Sequence, residues 1–450
     1  MKAFANLLES HLMTFAGRIA EQKHLQAVRD GLILAMPLLI IGSIFLILGN
    51  LPIPGYNEWM TGLFGREWST KLQYPVGATF DIMALIASFG IAYRLAEKYK
   101  VDPLAAAAIS VASFLLATPY ETMFTPPGAK EAIEVGGVIP TALMGSKGLF
   151  VAMLLALLST EIYRMIIQKN IVIKLPDSVP PAVSRSFVAL IPAFAVLTVV
   201  WLLRIGIENT SFESVHNIVA QLLSGPLNAL GGSLFGILIA VLVQQMLWST
   251  GIHGASLVGA VMGPTWLTLL DQNRIAFQAG QEPPNVVTSE FVEILINTGG
   301  SGATLALVVL MLFRARSQQA KNLGKLSIGA GIFNINEPVL FGMPIVMNPM
   351  MIVPFILAPV AMVLVSYFAM STGLVAKSVG ANLPWTTPIL VSGFLMTGGK
   401  ISGAVLQLVN FFVALAIYYP FFRIWDKQKL KEEEGVMTEH EGASGKTVNL

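Results

Sequence analysis

Long apolar runs without charged residues dominate the hydrophobic and polar pattern of the chain. Residues 31–49, 187–203 and 350–370 contain no Asp, Glu, Lys or Arg. A helix needs about 20 mostly apolar residues to cross a hydrocarbon core about 30 Å thick. These runs therefore predict membrane-spanning helices.

The same pattern recurs along the chain and predicts about ten membrane-spanning helices, with boundaries uncertain by several residues. They lie near residues 28–49, 78–97, 103–119, 147–166, 183–204, 228–249, 254–270, 291–313, 349–370 and 402–423. The segment 254–270 gives the weakest signal because it is short and rich in glycine. We expect an all-α polytopic membrane protein with additional amphipathic surface helices.

Residues 208–227 depart from this pattern and mark the expected domain boundary. Thr210 and Glu213 have the spacing of a capping box, and apolar residues at helical spacing follow them. We predict an amphipathic linker helix between an N-terminal half, 1–207, and a C-terminal half, 228–426, with a mobile cytoplasmic tail at 427–450. Leu7, Leu12 and Phe15 predict a further surface helix before the first span.

Two apolar stretches are interrupted too often to form ordinary spans. Residues 329–348 and 380–399 each carry glycine and proline in their middle. Irregular backbone at membrane depth persists only where protein or a water-filled cavity satisfies its polar groups. We predict two re-entrant hairpins with a solute site between them. The alternative is two kinked ordinary spans, which would raise the count to twelve and leave the orientation unchanged.

The distribution of basic residues predicts the orientation. With the N-terminus inside and about ten spans, 20 of the 28 Lys and Arg residues fall on the inner side. Cytoplasmic loops carry such an excess, so both termini are expected in the cytoplasm.

Composition supports the membrane assignment and excludes several classes of function. The chain is 54% hydrophobic and 12% charged, whereas soluble domains carry about 25% charged residues. A net charge of +2 suggests no nucleic-acid partner. The absence of cysteine excludes disulfides and thiolate metal sites. With no P-loop and no metal-ligand spacing, we expect neither a metal nor a cofactor.

Glu337 and His253 are the strongest candidates for chemistry. Glu337 is the only carboxylate between Glu293 and Asp426, and Asn334 and Asn336 stand beside it. We expect a buried acid on non-helical backbone that faces a polar cavity; the alternative is an interfacial carboxylate satisfied by backbone amides. Glycines flank His253, whose ordinary pKa suits proton transfer, although a lone histidine at a helix end is often only structural.

Tryptophan and amide side chains complete the candidate site. An indole face packs on the apolar face of a pyranose, and its N–H can bond a hydroxyl. Trp248 and Trp385 are candidates for this role, unless they belong to the interfacial aromatic belt. Gln245 and Asn382 are further polar candidates, together with Gln244 and Lys400. This set suits a neutral, polyhydroxylated solute.

These motifs resemble a known family. The stretch from Gly329 to Pro349, with its core Asn334-Ile-Asn-Glu-Pro338, is similar to the signature of enzyme IIC permeases of the phosphotransferase system. The elements Gly251-Ile-His-Gly254 and Pro384-Trp385 resemble its lactose, cellobiose and N,N′-diacetylchitobiose branch. The similarity extends from the first span to about Trp425.

The resemblance implies a fold and a transport mechanism. It implies ten spans, two re-entrant hairpins, and a homodimer formed through the N-terminal half in the bacterial plasma membrane. The C-terminal half would bind a β-linked disaccharide and move relative to this scaffold, as in elevator-type transport. The sugar would be phosphorylated on its 6-hydroxyl by a phosphocysteine of a separate IIB protein, which IIA supplies with phosphate. Since this chain has no cysteine, the donor must be another polypeptide.

The resemblance also implies residue roles. Glu337 and His253 would line the accepting hydroxyl, whereas Trp248, Asn336 and Trp385 would hold the sugar rings. The chain would thus be the membrane subunit of a sugar phosphotransferase, without complete activity on its own. The alternative function is an ion-coupled secondary sugar transporter, which would also use broken helices and would release unmodified sugar.

Overall fold

A computed structural model describes residues 18, 21–51, 53–126, 131–176, 178–343, 345–346 and 348–444. The surface helix predicted from Leu7, Leu12 and Phe15 lies outside these residues.

Helices dominate the described chain. From the N-terminus they are α1 Lys23–Ile33, α2 Met36–Leu48, α3 Tyr56–Phe64, α4 Trp68–Phe80, α5 Met83–Tyr99, α6 Pro103–Ala117, α7 Thr141–Met144, α8 Leu149–Gln168, α9 Pro181–Val188, α10 Leu190–Glu208, α11 Val215–Val219, α12 Gly225–Gly231, α13 Leu234–Ser249, α14 Gly254–Gln278, α15 Leu305–Arg314, α16 Gln318–Ile332, α17 Glu337–Gly342, α18 Pro349–Ser371, α19 Val391–Met396 and α20 Ile401–Ser444. Two π-helices, Ala220–Ser224 and Phe291–Ile296, and one 3-10 turn, Ser146–Gly148, accompany them. An antiparallel hairpin pairs β1 Glu121–Phe124 with β2 Ile133–Gly136.

Six helical segments in the described chain are long and apolar enough to cross a membrane. They are Lys23–Leu48, Trp68–Tyr99, Ser146–Gln168, Ser186–Glu208, Met350–Ser371 and Ile401–Glu434. A seventh span results if Val215–Gly231 and Leu234–Ser249, bent by 78°, count as one. The prediction of an all-α polytopic membrane protein is confirmed to the extent that the chain is a mostly helical membrane protein, whereas the hairpin of β1 and β2 was not predicted. The predicted count of about ten and the two re-entrant hairpins stay predictions.

By packing, the chain divides into two compact units. One contains Ile19–Gly232 and Gly259–Glu282, and the other contains Ser233–Val258 and the chain from Pro283 onward. This division concerns packing, so the predicted roles of the two halves in dimerisation and sugar binding stay predictions.

The unit containing Ile19–Gly232 is built around α5, against which α1, α6 and α8 pack. Small residues allow the close approach of α1 and α5. A Cβ atom on Gly31 would lie 2.4 Å from the backbone nitrogen of Ile91, and one on Gly90 would lie 2.6 Å from the carbonyl oxygen of Gly31. Glycine is therefore required at this helix crossing, as at many helix interfaces in membranes.

A buried charge cluster fastens the second part of α14 within the same unit. The guanidinium of Arg274 donates to Asp271 at 2.6 Å and to Asp81 at 2.9 Å. Ser146 donates its hydroxyl to the other oxygen of Asp271. Arg274 and Asp271 are almost fully buried, so their hydrogen bonds compensate the loss of hydration.

The other unit has a buried core between α18 and α20, which includes Phe355, Tyr418 and Phe422. Polar side chains of α20 hold irregular backbone within this core. The Asn410 amide donates to the Leu295 carbonyl at 3.1 Å, and the Tyr418 hydroxyl donates to the Gly302 carbonyl at 2.7 Å.

The predicted continuous span at 291–313 is wrong. A π-helix, Phe291–Ile296, is followed by the turn Asn297-Thr-Gly-Gly-Ser-Gly-Ala303, and α15 begins only at Leu305. Gly299, Gly300 and Gly302 have φ of 78°, 91° and 85°, which glycine adopts readily. Because residues 294–313 contain no charged residue, the hydropathy of the segment does not reveal the break.

The linker region is helical but differs from the prediction. Glu213 has a φ of 63°, so the capping box predicted from Thr210 and Glu213 does not form. Ser214 caps the helix instead, because its hydroxyl oxygen accepts from the Asn217 amide at 3.1 Å. The π-helix at Ala220–Ser224 then separates α11 from α12.

Of the predicted mobile tail, 427–450, residues 427–444 continue α20 as helix, and residues 445–450 lie outside the described residues. Two acids of this helix cap the start of α16. The Asp426 carboxylate accepts from the amides of Arg316 and Ser317, at 2.9 and 3.0 Å, and the Glu433 carboxylate accepts from Gln318 and Gln319, at 2.9 and 2.8 Å. These bonds satisfy amides that an uncapped helix would leave exposed.

Candidate functional site

Three irregular segments of one unit meet through the side chains of Asn334 and Asn336. The side-chain oxygen of Asn334 accepts from the Gly299 amide at 2.7 Å, and its nitrogen donates to the Trp385 carbonyl at 2.6 Å. The Asn336 amide donates to the Ser301 carbonyl at 2.7 Å. The two asparagines thus join the turn at 297–304 to the turn at 333–336, and Asn334 joins both to the segment around Trp385.

Local backbone geometry explains why asparagine stands at position 334. Asn334 has a φ of 62°, in the left-handed region that asparagine tolerates better than most residues. Its backbone amide donates to Gly331 at the end of α16. The residue therefore ends a helix and presents an amide to two other segments.

Glycine makes this approach possible. A Cβ atom on Gly300 would lie 2.5 Å from Cγ of Asn336 and 2.9 Å from the carbonyl oxygen of Asn334. Any larger residue would push the two turns apart.

Helix α13 contributes Gln244, Gln245 and Trp248 to the same unit. Gln244 donates to the Asn297 side chain at 3.0 Å, which supports the turn. Gln245 is fully buried, and in the described part of the chain neither of its amide atoms has a hydrogen-bond partner. The indole nitrogen of buried Trp248 is also without one there. Buried polar groups are normally paired with protein, water or a ligand, so these two side chains stay candidates for ligand contacts.

His253 caps α14 and packs on Trp248. Its Nδ1 accepts from the Ser256 amide at 3.1 Å, and the two ring centroids of His253 and Trp248 are 4.3 Å apart. Since Nδ1 accepts, the proton of the neutral imidazole lies on Nε2. A Cβ atom on Gly254 would lie 2.0 Å from the Gln244 carbonyl oxygen, so glycine is needed after His253. His253 is exposed, and its ring is thus both a structural cap and an accessible group.

Glu337 differs from its prediction. It is the first residue of the short helix α17, and its side chain is exposed rather than buried. The sequence interpretation placed it on non-helical backbone because Pro338 follows, but proline is well tolerated in the first turn of a helix. Its carboxylate is therefore available to an external ligand.

Trp385 and Asn382 lie in the irregular segment before α19. Trp385 is 48% exposed, whereas Asn382 is buried. Gln407 of α20 holds the end of the segment, accepting from the amides of Leu390 and Gly393 at 2.7 and 2.8 Å. The segment thus presents a half-exposed indole on a backbone held from two sides, by Asn334 and by Gln407.

The sequence interpretation missed Glu290. This residue is 0% exposed, and its Oε1 accepts from the Leu383 amide at 3.0 Å. A charged residue just before an apolar run resembles an ordinary span boundary, so only the tertiary structure reveals its burial.

The polar and aromatic groups of this unit are of the kinds that contact polyhydroxylated solutes. They offer amide donors and acceptors, indole faces, one imidazole and exposed and buried carboxylates, all within one unit. Among the described residues, no three His, Asp or Glu side chains come together in a way that could hold a metal ion.

Comparisons with known proteins identify the family of the chain. The family described as "Phosphotransferase system, EIIC" matches residues 29–359. "PTS system cellobiose-specific EIIC component" of Geobacillus stearothermophilus is 67% identical over 452 aligned positions, covering 100% of both chains. "Lichenan permease IIC component" of Bacillus subtilis (strain 168) is 63% identical and covers 96% of each chain.

A solved structure extends the agreement to the fold. The crystal structure of the transporter ChbC, the IIC component from the N,N′-diacetylchitobiose-specific phosphotransferase system, is similar with a TM-score of 0.93 and 63% identity. The match covers 95% of this chain and 99% of that one. Sequence and fold thus agree, and the chain belongs to the EIIC family, the membrane permease components of sugar phosphotransferase systems.

Proposed function

We propose that this permease imports a β-linked disaccharide of the cellobiose or N,N′-diacetylchitobiose type across the bacterial plasma membrane. The observation that carries the proposal is the junction of three irregular segments at Asn334 and Asn336, beside exposed Glu337 and Trp385. Similar proteins described as specific for cellobiose and for N,N′-diacetylchitobiose support the substrate class.

In this proposal, two tryptophans and several amides hold the sugar. Trp385 offers a half-exposed indole face for a pyranose ring, and Trp248 offers an indole N–H without a partner in the described chain. Asn336, Asn382 and Gln245 supply amide groups that can exchange hydrogen bonds with hydroxyls. Asn334 holds the segment that carries Trp385.

Glu337 and His253 carry the phosphoryl transfer. The oxygen of the 6-hydroxyl forms the new bond to phosphorus, and the bond from phosphorus to the cysteine sulfur of IIB breaks, so that the thiolate leaves. The hydroxyl proton passes to the Glu337 carboxylate, which acts as the general base. His253 donates a hydrogen bond from Nε2 and thereby polarises the sugar hydroxyl that accepts the phosphoryl group.

Phosphorylation also gives the transport its direction. A disaccharide cannot cross hydrocarbon unless its hydrogen bonds are replaced, and a pocket of amides replaces them. The added phosphate charge weakens the fit to a neutral pocket, and the charged product stays in the cell.

The assembly is part of the same proposal. Both termini lie in the cytoplasm, where phosphorylated IIB reaches the sugar. Two copies associate through residues 1–207, and the C-terminal half with its re-entrant hairpins moves relative to this scaffold. The three similar proteins are all named as phosphotransferase or IIC components, and they give no support to the ion-coupled alternative.

Glu337→Gln tests the mechanism with a variant that keeps size and removes the base. We expect disaccharide affinity within about threefold of wild type and transfer from phosphorylated IIB reduced about 100-fold or more. Glu134→Gln, at an exposed position on β2, is the matched control and should leave both unchanged. Undiminished transfer in Glu337→Gln would remove Glu337 from the mechanism.

A calorimetric titration of purified wild-type protein with cellobiose, N,N′-diacetylchitobiose and lactose tests the substrate class. We expect one of the first two to bind most tightly, and binding to none of the three would refute the proposed substrate.

A further inference from the structure

Glu290 is a buried carboxylate that the mechanism above leaves without a role. It stands directly before the π-helix Phe291–Ile296 and is 0% exposed. Its Oε1 accepts from the Leu383 amide at 3.0 Å. Its Oε2 is buried and has no hydrogen-bond partner in the part of the chain that the structure describes.

A buried carboxylate oxygen without a hydrogen-bond partner raises the free energy of the folded protein. Burying a charged group without compensating hydrogen bonds costs several kcal/mol by general estimates, roughly 1–3 kcal/mol or more for each unmet bond. Native proteins normally pair such a group with protein, water, an ion or a ligand. A ligand that donates a hydrogen bond to Oε2 would remove the cost.

Two other buried side chains of the same unit share this property. The amide of Gln245 and the indole nitrogen of Trp248 also have no hydrogen-bond partner among the described residues. The ionised carboxylate of Glu290 accepts only, the indole nitrogen of Trp248 donates only, and the amide of Gln245 does both. Sugar hydroxyls both donate and accept, so they complement all three side chains.

The bond to Leu383 connects Glu290 to the proposed sugar site. Leu383 lies between Asn382 and the Pro384-Trp385 element. Holding its amide holds the backbone two residues before Trp385, whose own carbonyl accepts from Asn334. The Trp385 segment is thus held by Glu290 before the indole and by Asn334 at the indole.

We propose that Glu290 is a specificity-determining residue, whose Oε2 accepts the hydrogen of one sugar hydroxyl while its Oε1 holds the Leu383 amide. This inference rests on the proposed function and adds a second carboxylate with a role distinct from that of Glu337. Because a carboxylate accepts only, it selects a donating group at one position of the sugar. Substituting fluorine for that hydroxyl removes the donor and abolishes the interaction.

Glu290→Gln separates the two roles of the side chain. Its amide oxygen can still accept from Leu383, but its NH₂ group replaces the accepting Oε2. We expect calorimetry to show cellobiose binding about 10- to 100-fold weaker than in wild type, as for the loss of a hydrogen bond to a charged group. Glu134→Gln, which removes an exposed carboxylate on β2, is the control and should bind within about threefold of wild type.

Monodeoxyfluoro cellobioses identify the hydroxyl. In wild type, the affinity for one analogue should be at least about 10-fold lower than the affinity for cellobiose. The Glu290→Gln variant should bind that analogue and cellobiose with equal affinity. If every analogue loses the same affinity relative to cellobiose in wild type and in Glu290→Gln, the inference is overturned. Size-exclusion profiles and thermal unfolding verify the fold. Should Glu290→Gln not fold, Glu290→Asp replaces it, and unchanged affinity in that shortened variant overturns the inference.

The outcomes separate this inference from the proposed function. If wild type binds cellobiose and Glu290→Gln binds it equally well, only the role of Glu290 is refuted. If wild type binds none of the disaccharides, the proposed substrate class is refuted as well.

Discussion

The side-chain amide of Asn334 donates a hydrogen bond to the backbone carbonyl of Trp385 over 2.6 Å. The same amide group contacts the Thr387 carbonyl at 3.2 Å, and its oxygen accepts from Gly299. One side chain therefore connects three segments that lie far apart in the sequence. The backbone at Trp385 is thus held by a residue 51 positions before it.

Asn334→Asp should test this junction. Aspartate tolerates the left-handed backbone and can still accept from Gly299, but it cannot donate to the carbonyls of Trp385 and Thr387. We expect disaccharide affinity to fall about 10-fold or more and stability to fall by about 1–3 kcal/mol. Calorimetry and thermal unfolding measure the two effects, and wild-type affinity in this variant would show that the junction does not position Trp385.

The close approach of two turns at Gly300 should be equally sensitive. Gly300→Ala would place a Cβ atom 2.5 Å from Cγ of Asn336, on backbone with a φ of 91°. We expect a marked drop in the unfolding temperature or a failure to fold. The control is Gly329→Ala in α16, where no heavy atom lies within 4 Å of the added carbon; alanine there should stabilise by up to about 1 kcal/mol. Equal behaviour of the two variants would contradict the packing described for Gly300.

Trp385→Ala should weaken disaccharide binding about 10- to 100-fold, because it removes the stacking surface for a sugar ring. Trp201→Ala is the control, since Trp201 is 51% exposed on the apolar helix α10. Intrinsic fluorescence of the remaining tryptophans during titration measures both. Equal affinities in wild type and Trp385→Ala would return Trp385 to a purely structural role.

The buried cation Arg274 should matter for stability and not for sugar chemistry. Arg274→Met would leave Asp271 buried without its charge partner, and we expect a loss of about 3–5 kcal/mol. Arg94→Met removes an exposed pair with Glu97 and should cost less than about 1 kcal/mol. Chemical unfolding in detergent compares them, and similar losses would refute a stabilising role specific to Arg274.

Part of this architecture follows from the sequence, because uncharged runs leave few alternatives to a membrane span. Each of the six clearest spans contains a strongly apolar stretch with few charged residues. The clustering of Asn334, Asn336 and Glu337 in apolar chain also predicts a candidate site, and the structure places Asn334 and Asn336 at the junction of three segments. In both cases a local pattern contains enough information, since the cost of polar groups in hydrocarbon acts residue by residue.

The rest depends on contacts between distant segments. No charged residue marks the break after Ile296. Glycine is required at position 300 because the side chain of Asn336 lies against it. The burial of Glu290 and the exposure of Glu337 are set by tertiary packing, so the sequence suggested the opposite for Glu337. The capping of α16 by Asp426 and Glu433 likewise orders a charged segment that looks mobile by composition.

Transport into proteoliposomes tests the central claim most directly. The membrane contains this chain as its only protein, and the lumen contains either phosphorylated or unphosphorylated IIB protein. With radiolabelled cellobiose outside, the account predicts that sugar 6-phosphate accumulates inside only with phosphorylated IIB, and that the Glu337→Gln variant accumulates almost none. Accumulation of unmodified sugar driven by a sodium or proton gradient, without any phosphoprotein, would contradict it.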